Sequence, residues 1–156
     1  MATKQFMKIG NIKGNSTEAN HKDWAEITEV SLGVGNPVNA VQAAKGKSSG
    51  GASTHADINV KMEIDKTLPE MMAYCSVGKC WDKAEFEICD EGEKTPLLRV
   101  ELGEKVAITS CSVEADAAGT PRVNLRIGFA KITWKYKQDK DLYWDLKKKE
   151  GSLKAK

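Results

Sequence analysis

The stretch ADINVKMEIDKTLPEMMAYCSVGK, residues 56–79, sets the architecture to expect. It opens in strict alternation, with Ile58, Val60, Met62 and Ile64 on one side and Asp57, Asn59, Lys61 and Glu63 on the other. A period of two with one apolar side marks a half-buried strand. The alternation then stops. Thr67 with Glu70 three positions on forms a capping box, Pro69 is tolerated in the first turn, and Gly78 supplies a left-handed stop, which predicts a helix of about ten residues. Leu68, Met71, Met72 and Cys75 share a face of it. So short a helix takes its stability from packing, and this face is expected to plug the open end or side of a β structure.

Outward from this unit, alternation recurs in FMKIGNIKG (6–14), WAEITEVSLGVG (24–35), KAEFEICD (83–90), TPLLRVELG (95–103), KVAITSCSVEAD (105–116), RVNLRIGFAKITWKYK (122–137) and the start of LYWDLKKKEGSLKAK (142–156). Residues 24–35 mix polar and apolar groups on both sides, so they read as strand without showing which side is buried. In residues 83–90, Ala84, Phe86 and Ile88 are expected inward, with Glu85, Glu87 and Cys89 facing the other way. In residues 122–137 the apolar side changes at Phe129–Ala130, which predicts a bulge or a passage from one environment to another. Roughly seven to nine short strands with regular turn signals and one short helix predict a mainly β fold, a closed barrel or a sandwich.

Residues 35–55, GNPVNAVQAAKGKSSGGASTH, interrupt the strands with a long extended loop whose Gly/Ser-rich part runs from Gly46 to Ser53. It lacks the apolar content to pack on its own chain. A loop of this length in a compact domain is commonly functional, and something outside the subunit is expected to hold it.

The 156 residues fit one domain, assigned to 1–146 with a basic tail at 147–156, and suffice for a core without staples. A net charge of +2 is too slight to indicate nucleic-acid binding. MATKQFMKIG has no signal-peptide apolar run, and no segment approaches the roughly 18 apolar residues of a membrane span. Synthesis in the cytoplasm is expected, with any exit using a route that cleaves no signal peptide.

Residue chemistry adds little. Cys75 and Cys80 lie close, but Cys89 and Cys111 form no second short pair and His21 and His55 fall in predicted loops, so free thiols and no metal are expected. Cys75 also sits near a helix C-terminus, where the dipole opposes a thiolate. GVGNPV (33–38) lacks the third glycine of a dinucleotide fingerprint and reads as a turn, so no cofactor is expected. Lys147, Lys148, Lys149, Lys154 and Lys156 read as a solvated end. Glu85 and Glu87 read as a polar face and not a catalytic pair. No nucleophile–base pair is evident, and no enzyme activity is expected.

The order of motifs carries more. FMKIGNIKGNS (6–16), HKDWAEITEVSLGVG (21–35), the Gly/Ser-rich loop, INVKMEIDKTLPEMM (58–72), GFAKITWKY (128–136) and YWDLKKK (143–149) follow one another along nearly the whole chain. This succession resembles the haemolysin-coregulated protein (Hcp) family, the tube subunits of bacterial type VI secretion systems. The resemblance implies a closed β-barrel with a flanking helix, a homohexameric ring, and stacked rings propelled by a contractile sheath behind a spike protein. It also implies small effector proteins in the channel, release into the medium or a target cell, and no stable membrane insertion. The chain ends soon after Trp144, so the toxin domain of extended members is not expected.

On this reading, residues 36–57 dock on a neighbouring subunit or ring, with Val38, Val41, Gly46 and Ser53 as markers of that loop. Glu85, Glu87 and Cys89, or the turn from Asp116 through Gly119 to Thr120, are expected to face the channel or its rim. The competing reading is a monomeric or dimeric β-barrel ligand-binding module with no secretion role, which particle size separates from a ring.

Overall fold

The computed structural model describes residues 3–46 and 53–153. The elements are β1 Thr3–Ile9, β2 Ala25–Ile27, β3 Glu29–Ser31, β4 Val34–Gly35, α1 Ala40–Ala44, β5 Thr54–His55, β6 Ile58–Glu63, α2 Leu68–Val77, β7 Cys80–Asp90, β8 Leu98–Glu114, β9 Arg122–Tyr136, β10 Leu142–Asp145 and β11 Glu150–Gly151. The fold is mainly β, as expected.

All pairings are antiparallel, and they form a circuit. β1 pairs with β7, β7 with β8, β8 with β9, β9 with β6, β6 with β3, and β2 returns to β1. β2 and β3 are one strand broken at Thr28, whose backbone NH donates to the Lys61 carbonyl at 2.8 Å. The break explains the mixed faces of residues 24–35. Ala25 and Ile27 point into the core while the strand pairs with β1; past Thr28 the partner becomes β6 and Val30 takes the core side.

The interior is filled by the alternating residues the sequence marks. Ile58, Val60 and Met62 are fully buried, as are Phe86, Leu102, Leu125 and Ile127. Ile64 departs from its expected face and is exposed, because β6 ends at Glu63.

β9 makes the predicted change of environment. It pairs with β6 from Arg122 to Ile127 and with β10 from Lys131 to Trp134. Opposite this change, β8 shifts register between Gly103 and Val106 and again between Ile108 and Ser110. These bulges carry β8 unbroken through residues 98–114, where the sequence reads two separate strands.

α2 matches its predicted span but begins differently. Thr67 makes no side-chain cap bond, and the expected capping box with Glu70 does not form. Asp65 takes that role, its carboxylate accepting from both the backbone NH and the hydroxyl of Thr67, which is buried. Gly78, at φ 69°, ends the helix as expected. Leu68 and Met71 join the barrel core, whereas Met72 is exposed and Tyr74 packs edge-on against Trp81 at 5.2 Å.

Two further expectations change. The loop of residues 35–55 is not wholly extended, since it carries α1 and the β4–β5 ribbon, so the chain has a second short helix and Gly35 is a strand residue. Part of the basic tail folds back, with β11 pairing on β10, while Lys147, Lys148 and Lys149 are exposed. Lys154 and Lys156 lie outside the described residues, as do 47–52 of the Gly/Ser-rich patch.

Candidate functional site

Three surfaces carry the exposed chemistry. The first is the outer side of β3, β6, β9 and the far half of β8. Because Val60 and Leu125 point inward, their strand neighbours Asn59, Lys61, Asn124 and Arg126 point out. With Ser112 and Glu114 they line a concave, polar trough of about 860 Å³. The Thr109 hydroxyl ties its floor together, donating to Asp57 Oδ2 at 2.7 Å, and Lys61 Nζ lies 3.8 Å from Glu29 Oε2.

The second surface is the arm formed by β4, α1 and β5. Asn39 caps α1 by accepting from the Gln42 NH at 3.1 Å, so the helix is locally specified. Yet none of its residues is buried: Val38 is 55% exposed and Val41 62%. Among the described residues the arm is held at its base by aromatic packing. The His55 ring stacks at 6.2 Å from Trp134 and 6.1 Å from Trp144, and edge-on to Phe129. Val34, Ser53, Leu142 and Leu153 extend this aromatic base into an apolar groove of about 300 Å³.

The third is a charged ladder across β7 and β8. Arg99 donates to Glu87 Oε2 at 2.5 Å and to Glu85 Oε1 at 2.9 Å, and Lys83 Nζ lies 2.7 Å from Glu85. Burial opposes ionisation of Glu85, but the Lys83 hydrogen bond and the Arg99 charge outweigh it and hold the carboxyl below its ordinary value. Residues 15–24 fold over the upper end of the ladder. There His21 contacts Glu18 through Nδ1 and Glu87 through Nε2, and Phe6, Trp24 and Cys89 form a small second core beneath. Burial first, and the neighbouring carboxylates second, push the Cys89 thiol up to about 11.

Residues 6–136 match the family described as "Type VI secretion system effector, Hcp". The chain belongs to the Hcp family. It is 25% identical over 142 residues to protein hcp1 of Pseudomonas aeruginosa, covering 90% of this chain and 86% of that one. A solved type six secretion system protein superposes with a TM-score of 0.88 at 21% identity, covering 97% of this chain and 100% of that chain. Hcp1 from Salmonella typhimurium gives 0.82 at 18% identity with the same coverage, so the fold persists where the sequence has diverged. As an Hcp-family chain this is a type VI secretion tube protein, a secreted structural component and not an enzyme, in a family whose members form ring assemblies. Among the described residues no helix is long and apolar enough to cross a membrane.

The residues singled out by sequence fall on different surfaces. Val38 and Val41 lie on the arm, Gly46 follows α1 at φ 76°, and Ser53 lines the groove at its base. Asp116 and Gly119 lie in the exposed turn between β8 and β9, where Asp116 Oδ1 accepts from the Ala118 NH. Glu85 is half-buried in the ladder. Glu87 is only 8% exposed and Cys89 only 9%, which leaves neither a free surface to present to a channel. The physical reason is the cover of residues 15–24, invisible in the alternation of residues 83–90. Cys80 opens β7 and is exposed, so the strand starts three residues before the alternation of residues 83–90.

Proposed function

We propose that six copies of this chain close into a ring, that rings stack into the inner tube of a type VI secretion system, and that the polar trough lines its channel. A contractile sheath drives this tube outward behind a spike protein, small effectors travel inside, and the subunit reaches the medium or a target cell without a cleaved signal peptide. The observation that carries the reading is the arm, a capped helix with no buried residue that bears the exposed Val41 and follows the exposed Val38. An element of five residues has no stability of its own, so it is completed by contact with another copy. The trough supports the second half of the reading, since hydroxyl, amide and mixed charged groups hold water and offer no apolar adhesion to passing cargo. The β8–β9 turn with Asp116 and Gly119 is assigned to the channel rim, and Glu85 to the flank of the ring.

Sedimentation and negative-stain imaging of the full chain test this. Annular particles near six times 17.1 kDa are expected, stacking into tubes at high concentration. Val38→Asp with Val41→Asp, or removal of 46–53, should weaken stacking while circular dichroism stays that of the folded subunit. A stable monomer or dimer would instead establish a ligand-binding module, and tubes unchanged by both variants would remove the arm from the interface.

A further inference from the structure

Spacing along the chain predicts no metal site, but the fold assembles one set of ligand types. Among the described residues, donor atoms of His21, Glu87 and Cys89 lie within 4.8 Å of one another, all three side chains buried. His21 Nε2 is 2.9 Å from Glu87 Oε1 and 3.9 Å from Cys89 Sγ. Zinc–ligand bonds of roughly 2.0–2.3 Å place tetrahedral donors about 3.4–3.6 Å apart, so the two separations from His21 reach that geometry with shifts of about half an ångström, and the Glu87–Cys89 separation, within 4.8 Å, closes by side-chain rotation of about an ångström.

The surroundings are those a metal ligand set needs. The imidazole is fixed face-to-face on Phe6 at 4.0 Å and edge-on to Trp24 at 5.0 Å. Its other nitrogen, Nδ1, contacts the Glu18 carboxylate, an arrangement that orients Nε2 toward an ion and raises its basicity. The second oxygen of Glu87 is held by Arg99, which leaves Oε1 for the cluster. A cleft of about 160 Å³ opens beside His21 and Cys89, its mouth carrying Glu18, Asp90, Glu91 and Glu93 alongside Lys4 and Lys94. That cleft supplies an entry path and room for a water.

We propose that His21 Nε2, Glu87 Oε1 and Cys89 Sγ bind one zinc ion, with water from the cleft in the fourth position. Coordination takes Cys89 Sγ as the thiolate, its proton leaving to water in the cleft, and His21 Nε2 as a lone-pair donor whose Nδ1 faces the Glu18 carboxylate. The ion ties residues 15–24 to β7, fastening the cover by coordination in place of hydrogen bonds.

Cobalt is the spectroscopic probe, titrated into the reduced full chain after chelator treatment. Thiolate-to-cobalt charge-transfer absorption saturating at about one equivalent is expected, displaced by zinc. The absorption should persist in the triple variant Cys75→Ser, Cys80→Ser, Cys111→Ser, whose remaining cysteine is Cys89, and vanish in Cys89→Ser. Should Cys89→Ser fail to fold, iodoacetamide labelling of the triple variant replaces it: zinc should slow alkylation of Cys89 by tenfold or more. No charge-transfer band in the full chain, a band surviving in Cys89→Ser, a band lost in the folded triple variant, or labelling indifferent to zinc would each overturn the site.

Discussion

His21 and Glu87 stand 66 residues apart in the chain and meet at 2.9 Å, sealed between residues 15–24 and strand β7. Both are buried, at 5% and 8% exposure, and each compensates part of the other's lost water, with Glu18 on the far side of His21 and Arg99 on the far side of Glu87. Taking one partner from a buried pair costs about 3–5 kcal/mol, chiefly because the survivor is stranded. Glu87→Ala should lower the unfolding free energy at neutral pH by about 1–3 kcal/mol in urea titrations, since it removes one hydrogen-bond partner from each of His21 and Arg99, which keep Glu18 and Glu85. The double variant His21→Ala, Glu87→Ala should cost clearly less than the sum of the singles. Additive costs would show the two residues to be energetically independent.

Gly10, just past the end of β1, lies close against Trp81 of β7. Gly10 adopts φ 51°, and a Cβ there would lie 2.2 Å from Trp81 Cδ1. Trp81 cannot withdraw, because it is 7% exposed and meets Tyr74 edge-on. Gly10→Ala therefore combines a left-handed backbone penalty with overpacking, about 2–5 kcal/mol together. Gly33, whose added Cβ would meet nothing within 4 Å, provides the control. Gly33→Ala should change stability by no more than about 0.5 kcal/mol in the same thermal or urea unfolding assay.

The contrast between these sites shows what a sequence reveals here. Alternation located Ile58, Val60 and Met62 because each answers to a single sheet face, and that rule is local. Gly78 was legible because a left-handed stop leaves its mark at one position. The helix start is not legible because Asp65 and Thr67 both offer an acceptor oxygen to the first backbone NH groups, and only backbone geometry decides which one is used. The His21–Glu87–Cys89 cluster had no sequence signal beyond Glu87 and Cys89 sharing a strand face. It depends on a loop fixed by backbone bonds such as Gly14 NH to the Asp23 carbonyl at 2.7 Å, a closure that no spacing rule encodes. α1 escaped notice because five residues with no buried face leave no periodic trace.

The charged ladder contributes to the loss of stability in acid. Glu85 is held below its ordinary carboxyl value, so the unfolded chain takes up a proton there before the folded one does. Its contribution is present above the unfolded value and is lost as the pH falls through the lower folded one. Lys83 is exposed enough for solvent to screen the pair, which limits the contribution to under about 1 kcal/mol. Unfolding midpoints followed from pH 6 to pH 3 should fall less steeply for Glu85→Gln than for the parent chain. Identical slopes would place the acid sensitivity elsewhere.

His55 tests the base of the arm. Two effects oppose each other there. A protonated ring facing indoles gains cation–π attraction, about 0.5–2 kcal/mol when the cation lies within about 6 Å of the ring centroid. Here the centroids stand at 6.2 Å and 6.1 Å, at the outer edge of that range, so the attraction is weak and desolvation decides. Burial accordingly lowers the His55 pKa from 6.5. The unfolded chain binds this proton first as pH drops, so the stabilisation exists above about 6.5 and fades as pH falls through the lower folded value. Thermal midpoints between pH 7.5 and pH 5 should decline, and His55→Gln should remove part of that decline. In the folded state, emission from Trp134 and Trp144 should change over the same interval as the charged ring loosens the β4–β5 ribbon from its aromatic base. A His55→Gln profile parallel to that of the parent chain would show that burial and cation–π attraction cancel at this site, and a parent midpoint that rises on acidification and loses that rise in His55→Gln would show that the attraction outweighs burial.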